Sequence, residues 1–404
     1  MKATMVLAAI FLLLAASVVE AQGKLASPDV AQAVKDNNRF ALEIYGNLAA
    51  GKGNLFLSPY SITTALAMTY AGAKGQTAEQ MAKTLHYTLE RDKLHAAFAS
   101  LIKEQNGAGT KRAYKLSVAN ALWGQKGYGF RPDYLQLVRT NYSAGLQELD
   151  FSAAPESARK TINDWVDKQT QSKIKDLIPE GAIKQDTRLV LTNAIYFKAS
   201  WSERFAEDAT KKQDFWITAD QKVQALMMHR KDDYSLVDGD TFQLLYMPYE
   251  NYDLSMIVIL PKRKDGLKEI EKTITAANLE DWLKLRKLHS VDVKIPKFKF
   301  TSEFKLKTTL AQMGMPIAFS NAADFSGMAS AEKLAIDEVI HKAFIDVNEK
   351  GTEAAAATAV LFRPTSLPPE LPKANFHADH PFAFLIRDNR SGSILFAGRV
   401  QNPN

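Results

Sequence analysis

The sequence predicts an α+β fold with mostly antiparallel sheets. Helical periodicity dominates the first half of the chain, whereas β-branched and aromatic segments dominate the second half. The two patterns do not alternate, which disfavours a doubly wound parallel sheet. No linker rich in Pro, Gly or Ser divides the 404 residues, so we expect one domain over residues 22–404.

The predicted helices have apolar residues at helical spacing. The first, Asp29–Ala50, begins near Ser27 or Asp29 and ends at Gly51. Residues Ile62–Gly72 are apolar nearly all round, so this helix should be buried. The other predicted helices are Gln76–Leu85, Glu90–Glu104, Pro132–Thr140, Ala154–Ser172, Leu267–Leu288 and Lys305–Met313.

The predicted strands are rich in β-branched and aromatic residues or alternate between apolar and polar residues. A short strand at Asn54–Leu57 is stopped by Ser58-Pro59. The last two strands should pair as a hairpin across Asn389–Gly392. In order, the strands after the first are Leu116–Trp123, Leu189–Phe197, Val223–Met228, Phe242–Tyr249, Leu254–Leu260, Ser290–Phe300, Leu334–Val347, Phe382–Asp388 and Ile394–Val400.

The N-terminal residues are typical of a secretory signal peptide. Lys2 precedes an apolar run, Met5–Val19, and a small-x-small exit at Val19-Glu20-Ala21. The run is shorter than the roughly 20 residues that span a membrane. We therefore expect residues 1–21 to be removed and the mature chain to be secreted, extracellular or periplasmic.

Composition excludes several kinds of site. The chain has no cysteine, which excludes thiol catalysis, disulfides and zinc–thiolate sites. A net charge of +6 is mildly basic, so a polyanion partner remains only a weak alternative, and neither nucleic acid nor membrane is predicted as a partner. The one zinc-like spacing, His377-Ala378-Asp379-His380, follows a Pro-rich loop, and we predict neither a metal nor a cofactor.

The segment Glu349–Glu370 (EKGTEAAAATAVLFRPTSLPPE) opens with a run of small residues. Read with period two, Thr352, Ala354, Ala356, Thr358, Val360 and Phe362 share one uncharged face that a sheet could bury. The prolines that follow cannot continue a strand ladder. The segment is thus predicted to be an exposed loop whose first half can become a strand. A short alanine-rich helix is the alternative on propensity alone.

This loop and several long motifs resemble the serpin family over nearly the whole mature chain. The other motifs are Asn54–Met81, Leu191–Trp201, Phe382–Ile386 and Ile394–Val400. The resemblance implies a serpin fold of three mostly antiparallel β-sheets with eight to nine helices. It also implies an exposed reactive-centre loop at about residues 349–370.

The resemblance implies three groups of functional residues. A loop hinge of the form found in inhibitory members comprises Glu349, Gly351, Thr352, Glu353, Ala354, Ala355, Ala356, Ala357 and Thr358. A polar cluster beneath the main sheet, the shutter, comprises Ser58, Ser61, Asn193 and His341. Trp201 would lie at the breach, where the loop first enters the sheet.

By resemblance, the chain should be a monomeric suicide inhibitor of endopeptidases and not an enzyme. Its partner would be a target protease, held as a covalent acyl-enzyme after cleavage between Thr365 and Ser366. A small residue after Pro364 favours a serine protease of elastase-like or subtilisin-like specificity. The alternatives are a non-inhibitory serpin, acting as a carrier or chaperone, and an inhibitor of cysteine proteases.

Overall fold

The computed structural model describes residues 27–107, 112–142, 145–329, 334–352 and 370–404. None of the helices in these ranges is long and apolar enough to cross a membrane. The nine described helices are α1 Pro28–Leu48, α2 Pro59–Tyr70, α3 Gly75–Thr84, α4 Arg91–Gln105, α5 Pro132–Tyr142, α6 Pro155–Gln169, α7 Leu267–Glu271, α8 Ala276–Lys284 and α9 Lys307–Met313.

Two hydrogen-bonded sheets contain the described strands. The strands are β1 Leu55–Leu57, β2 Tyr114–Gln125, β3 Leu146–Leu149, β4 Leu189–Ser200, β5 Lys211–Trp216, β6 Lys222–Asp238, β7 Phe242–Pro248, β8 Leu254–Pro261, β9 Lys287–Pro296, β10 Phe298–Lys305, β11 Glu338–Asn348, β12 Gly351–Thr352, β13 Lys373–His377, β14 Phe382–Asp388 and β15 Ile394–Val400. The six-stranded sheet has the order β10-β11-β12-β4-β2-β3. The nine-stranded sheet has the order β1-β15-β14-β8-β7-β6-β9-β13, with β5 also paired to β6.

The predicted α+β class, mostly antiparallel pairing and number of helices are confirmed. Strand β6 is long enough to pair with β7 through 235–238 and with β9 through 227–236. Strand β6 therefore joins β7 and its neighbours to β9 and β13 within one sheet, so the described strands form two hydrogen-bonded sheets.

The buried residues form layers on both faces of the six-stranded sheet. On the inner face, Ile195 and Phe197 of β4 pack in one cluster with Met256 and Val258 of the nine-stranded sheet. On the outer face, α6 covers a second cluster that draws on β2, β4 and β11. Helix α2 is buried along its whole length, as predicted, and Ser58 caps it by accepting the Ser61 N–H at 3.2 Å.

One long predicted helix, Leu267–Leu288, is wrong. The chain instead forms two short helices, α7 and α8, and Lys287 already belongs to strand β9. Thr275 ends the continuity because its extended backbone caps α8, with its hydroxyl accepting the Asn278 N–H at 3.1 Å. Apolar spacing continues across this break, which explains why the pattern predicted a single helix.

Candidate functional site

Strands β11 and β4 form a parallel boundary within the six-stranded sheet, which we call the seam. They pair directly from Glu338 opposite Val190 to Phe344 opposite Tyr196. Beyond this point β12 lies between them, and Thr352 stands opposite both Ala199 and Val347. The seam therefore has a closed lower part and an upper part that already holds a third strand.

Gly351 enters the upper part of the seam where no other residue would fit. Its φ is +143°, and a Cβ at this position would lie 2.1 Å from the Ala199 carbonyl oxygen. The next side chain, Thr352, is completely buried, and its hydroxyl lies 2.8 Å from the Tyr249 hydroxyl. These two predicted hinge residues are thus packed as sheet strand.

Trp201, the predicted breach residue, lies at this upper end of the seam. Its ring stacks on Tyr249 with the ring centroids 4.6 Å apart and the planes within 8°. The indole Nε1 donates to the Asn348 carbonyl at 3.0 Å, and the Trp201 backbone N–H donates to the Lys350 carbonyl at 3.0 Å. Trp201 therefore holds the turn that connects β11 to β12.

Glu349, the first predicted hinge residue, is buried in that turn and ion-paired. Its carboxylate lies 2.9 Å from Lys297 Nζ and accepts a hydrogen bond from the Thr210 hydroxyl at 2.9 Å. Burial is the largest single influence and raises the Glu349 pKa, but the hydrogen bonds to Lys297, the backbone and Thr210, together with the Lys297 charge, outweigh it. The Glu349 pKa therefore lies below its ordinary value. The carboxylate is charged at neutral pH. Its ion pair anchors the turn to Lys297, which lies between β9 and β10.

The four predicted shutter residues come together at the lower part of the seam, and all are completely buried. His341 of β11 stands directly opposite Asn193 of β4, and its Nδ1 is hydrogen-bonded to Asn193 Oδ1. The Ser58 backbone N–H donates to His341 Nε2 at 3.0 Å. Since Nε2 accepts, we assign the proton to Nδ1. Burial lowers the His341 pKa to about 3, so the ring is neutral.

Sequence reasoning missed Asn120, which completes this cluster. Asn120 Oδ1 accepts from the Ser61 hydroxyl at 2.7 Å and from Asn193 Nδ2 at 2.6 Å, and Asn120 Nδ2 donates to the Ser61 carbonyl at 3.1 Å. An available signal was an amide side chain between Ala119 and Ala121 in a predicted buried strand, because buried amides need partners. We call these five residues, with Asn120 included, the polar cluster.

Several predicted site residues lie outside the described residues. They are the rest of the hinge, Glu353, Ala354, Ala355, Ala356, Ala357 and Thr358, and the bond between Thr365 and Ser366. The predicted signal peptide, 1–21, also lies outside them.

The histidines of the zinc-like spacing contact different partners. His377 Nε2 lies 3.1 Å from Asp292 Oδ1, whereas His380 Nε2 lies 2.7 Å from the Pro261 carbonyl oxygen. Within the part of the chain that the structure describes, no group of three His, Asp or Glu residues is arranged to hold a metal ion.

Comparison with known proteins decides the family. The model of the family described as Serpin (serine protease inhibitor) matches residues 35–403. The chain is a member of the serpin family. Leukocyte elastase inhibitor of Bos taurus is 42% identical over 377 residues, which cover 91% of this chain and 98% of that protein.

Solved serpin structures share the fold over the whole length of their chains. Human thyroxine-binding globulin has a TM-score of 0.84 at 30% identity, covering 93% of this chain and all of that one. Serpin48 of the insect Tenebrio molitor has a TM-score of 0.81 at 33% identity, covering 95% and 100%. The predicted serpin fold is therefore confirmed.

One sequence-based prediction needs correction. The prediction that the chain is not an enzyme states only an absence, and the comparisons do not bear it out in those terms. They support a positive statement instead, because the family is described as serine protease inhibitors and a relative is named as an elastase inhibitor. As a serpin of this kind, the chain is a protease inhibitor with a protease as its partner.

Proposed function

We propose that this serpin is a suicide inhibitor that traps its protease as an acyl-enzyme. The loop at about 349–370 is offered as substrate, and the protease nucleophile attacks the carbonyl of Thr365, releasing the Ser366 amine. The hinge side then inserts into the six-stranded sheet and carries the bound protease away before deacylation. The observation that carries this proposal is the position of Gly351 and Thr352, which already form a strand in the seam.

The pairing of β12 sets the register that further insertion would follow. Thr352 stands opposite Ala199 of β4 and Val347 of β11. If the same antiparallel pairing continues, Thr358 arrives between His341 and Asn193, and Phe362 arrives at Leu189, where β4 begins. Strand β4 therefore offers partners as far as residue 362.

This register gives Thr358 a chemical role. Insertion separates β11 from β4 by one further strand, about 4.8 Å, so the hydrogen bond between His341 and Asn193 must break. Thr358 would lie on the inward face, between the His341 and Asn193 side chains, which are then no longer hydrogen-bonded to each other. Its hydroxyl both donates and accepts, so it can restore partners to both and leave neither group buried and unpaired.

The register also explains why alanines occupy both faces of the hinge. Inward-facing residues meet the inter-sheet core, and outward-facing residues would pass beneath α6. Ala357 would stand opposite Ala194, which belongs to the buried cluster that α6 covers with Ile162 and Val166. Because interiors are close-packed, a bulky residue on either face would slow insertion relative to deacylation.

The driving free energy is the difference between the present sheet and one completed by residues 353–362. The native state is then kinetically held and not the most stable arrangement. From Gly351 to Thr365, fifteen extended residues would span about 50 Å, which sets how far the protease is moved. In this mechanism residues 22–404 act as one domain and need no cofactor.

We propose a serine protease with elastase-like or subtilisin-like specificity as the target. Thr365 is small, and Pro364 disfavours cleavage after Arg363 by trypsin-like enzymes. The name of the bovine relative, leukocyte elastase inhibitor, supports the same class. The N-terminal pattern at 1–21 supports secretion.

Incubation of the mature chain with elastase-like and subtilisin-like proteases, and with a cysteine protease, tests this proposal. We expect an adduct that survives denaturing gel electrophoresis with at least one serine protease. Plain cleavage without an adduct would support a non-inhibitory serpin, and an adduct with the cysteine protease alone would reassign the target class.

The Ala356→Pro variant tests insertion separately from recognition. Proline lacks the N–H that a central strand needs, so cleavage should persist while the adduct is lost. The matched Ala356→Ser variant keeps the N–H and a small side chain, and it should form the adduct as the parent does. An undiminished adduct in Ala356→Pro would contradict the proposal.

A further inference from the structure

Leu285 and Leu288 form an exposed apolar pair at the turn between α8 and β9. Their side chains are 62% and 51% exposed, and they are two of the four large hydrophobic side chains that are exposed in the described ranges. Leu285 follows directly after α8, and Leu288 lies in β9 opposite Ser235. A partner that covers them would remove apolar surface from water, which is favourable.

The turn that presents these leucines is held in place by Arg286. Its Nε donates to the Leu283 carbonyl at 2.7 Å, and its guanidinium carbon lies 4.5 Å from the centroid of the Tyr246 ring. The Leu285 N–H donates to the Trp282 carbonyl at 3.0 Å, so the end of α8 is also hydrogen-bonded. A turn that is already ordered loses little conformational freedom when a partner binds, so more of the favourable contact energy is kept.

Positive charge borders the two leucines. The stretch Lys284–His289 contains three cations, Lys284, Arg286 and Lys287, and no acidic residue. Lys284 pairs with Asp281 at 2.8 Å, whereas no carboxylate of the described residues pairs with Arg286 or Lys287. Surface cations of this kind attract an acidic partner and speed its association. The surface thus fits a partner that has an apolar area bordered by carboxylates.

The end of the reactive-centre loop lies beside this surface. The Ser290 N–H donates to the Pro372 carbonyl at 3.0 Å, and Lys373 of β13 stands opposite Ser290 of β9. Ser366, after the proposed cleavage, is six residues before Pro372, so the chain between them spans at most about 20 Å. A protease of about 250 residues has a radius of gyration of about 18 Å. A protease bound at Ser366 is therefore large enough to reach the leucines.

We propose that Leu285, Leu288, Lys284 and Lys287 form a second docking surface for the target protease, separate from the contact between its active site and the loop. We call these four residues the docking patch. The protease surface that fits it lies on the side of the active site that binds the residues after the cleaved bond. The choice of a protease as the partner rests on the proposed function. Within the elastase-like and subtilisin-like classes, the patch favours acidic proteases over basic ones.

The docking patch is tested by the binding of the full mature chain to proteases whose nucleophilic serine is replaced by alanine, because no acyl-enzyme then forms. Surface plasmon resonance gives the Kd and the association rate constant for an acidic subtilisin-like protease and a basic elastase-like protease. We expect the acidic protease to bind more tightly. Leu285→Ser combined with Leu288→Ser should weaken this binding at least about tenfold, because two apolar contacts are lost. Tighter binding of the basic protease, or no binding of either, would overturn the proposal.

Leu226→Ser is the matched control for the two leucines. The Leu226 side chain is also exposed, and its carbonyl accepts the Lys297 N–H at 2.8 Å. Lys297 is nine residues from Leu288 along β9, which places Leu226 about 30 Å from the patch. This variant should bind the acidic protease as the parent does. Unchanged binding in the double leucine variant, or an equal loss in Leu226→Ser, would contradict the docking patch.

Lys284→Gln combined with Lys287→Gln tests the role of the charge. We expect association with the acidic protease to be about fivefold slower at low salt and to depend less on salt than in the parent. Lys126→Gln combined with Lys160→Gln removes the same charge at two exposed positions outside the patch and is the matched control. Equal slowing in the two double variants would contradict the assignment of Lys284 and Lys287 to the patch.

An anionic membrane is the other partner that exposed leucines and lysines fit. Vesicles of phosphatidylcholine and phosphatidylserine test it by co-sedimentation with the parent chain and the double leucine variant. We expect no difference between the two chains. If the leucine variant loses vesicle binding and keeps its affinity for the acidic protease, the proposal is overturned.

Active protease separates this proposal from the proposed function. We expect the adduct to form at least about tenfold more slowly in the double leucine variant than in the parent. An adduct that forms equally fast in both would refute the docking patch and leave the proposed function in place. If the parent forms no adduct, but the leucine variant loses binding to the inactive protease, the proposed function fails and the docking patch stands.

Discussion

The two parts of the seam differ in what separates β11 from β4. In the upper part, Gly351 and Thr352 lie between the strands, and the turn before them is held by aromatic stacking and one ion pair. In the lower part, the strands pair directly, and a neutral polar cluster lies beneath them. The upper part resembles a sheet after strand insertion, and the lower part resembles a sheet before it.

Under the proposed mechanism, this difference predicts where strand insertion meets a barrier. Each residue added to β12 would pair with one residue of β11 and one residue of β4. It would also separate one pair of residues in which β11 and β4 now face each other directly. Six residues beyond Thr352, the advancing strand reaches the buried bond between His341 and Asn193. Breaking that bond before Thr358 can replace it leaves polar groups unpaired, and this creates a barrier.

The largest expected effect comes from breaking the lower part with Asn193→Leu. The substitution removes the amide that serves His341, Ser61 and Asn120, and it leaves their polar groups buried without partners. We expect the free energy of unfolding to fall by about 3 kcal/mol, measured by urea denaturation. The matched variant is Asn47→Leu, on the exposed face of α1, which should change stability by less than about 0.5 kcal/mol. Equal effects of the two would show that the polar cluster does not hold the lower part closed.

The sequence predicts some parts of this structure better than others. The difference is whether a segment is marked by a local pattern or by contacts between residues far apart in the chain. Residues Ile62–Gly72 and Leu189–Phe197 were predicted well, because burial leaves a local apolar pattern. Only the first part of β6 was predicted, since the run Arg230–Asp233 is charged. In the folded chain Arg230 and Asp232 pair with each other, and the run remains in the strand.

The candidate site was predicted where the resemblance supplied positions and missed where only tertiary packing supplies them. Ser58, Ser61, Asn193 and His341 do meet at the seam. Tyr249, in contrast, bonds to Thr352 across a separation of 103 residues and has no local pattern that predicts this contact. Long-range partners of this kind require the fold itself.

The second-largest expected effect comes from disturbing the fit of β12 in the upper part of the seam. Gly351→Ala places a Cβ against the Ala199 carbonyl and forces a φ that side chains disfavour, so β12 should leave the seam. We expect a loss of about 2 kcal/mol in the free energy of unfolding and faster proteolysis of the turn at Glu349. Gly46→Ala, where a Cβ would have open space, is the control and should be neutral or stabilising. Unchanged proteolysis in Gly351→Ala would mean that β12 is not held by this fit.

Acidification should lower the free energy of unfolding through His341, in the lower part of the seam. An unfolded histidine has a pKa near 6.5, whereas burial lowers the His341 pKa to about 3 in the folded chain. Between these values the unfolded state binds more protons, so the free energy of unfolding falls as pH falls, by up to about 1.4 kcal/mol per pH unit. The stability that depends on a neutral His341 is fully present above pH 6.5 and is lost below pH 3.

The control for this pH dependence is His341→Gln, which keeps an amide near Asn193 without a titratable ring. Its stability should vary less steeply between pH 6.5 and 4 than that of the parent, as measured by urea denaturation at each pH. Burial also lowers the His95 pKa, to about 4, so part of the slope should remain. Identical slopes in parent and variant would exclude His341 as a source of acid sensitivity.

The smallest effect concerns the hydroxyl pair of the upper part. Tyr249→Phe and Thr352→Val each remove one partner of the 2.8 Å bond, and each should lower the free energy of unfolding by about 1 kcal/mol. In the double variant the loss should be less than the sum, because neither hydroxyl is then left alone. Strictly additive losses would show that the pair is not coupled.

The most direct test of the central claim is the melting temperature after a single cleavage of the loop between residues 362 and 369. If the lower seam accepts residues 353–362 as a strand, the cleaved chain should melt at least about 10 °C above the intact chain. The same cleavage in Ala356→Pro should bring a much smaller gain. A cleaved parent chain that melts at or below the temperature of the intact chain would contradict the account.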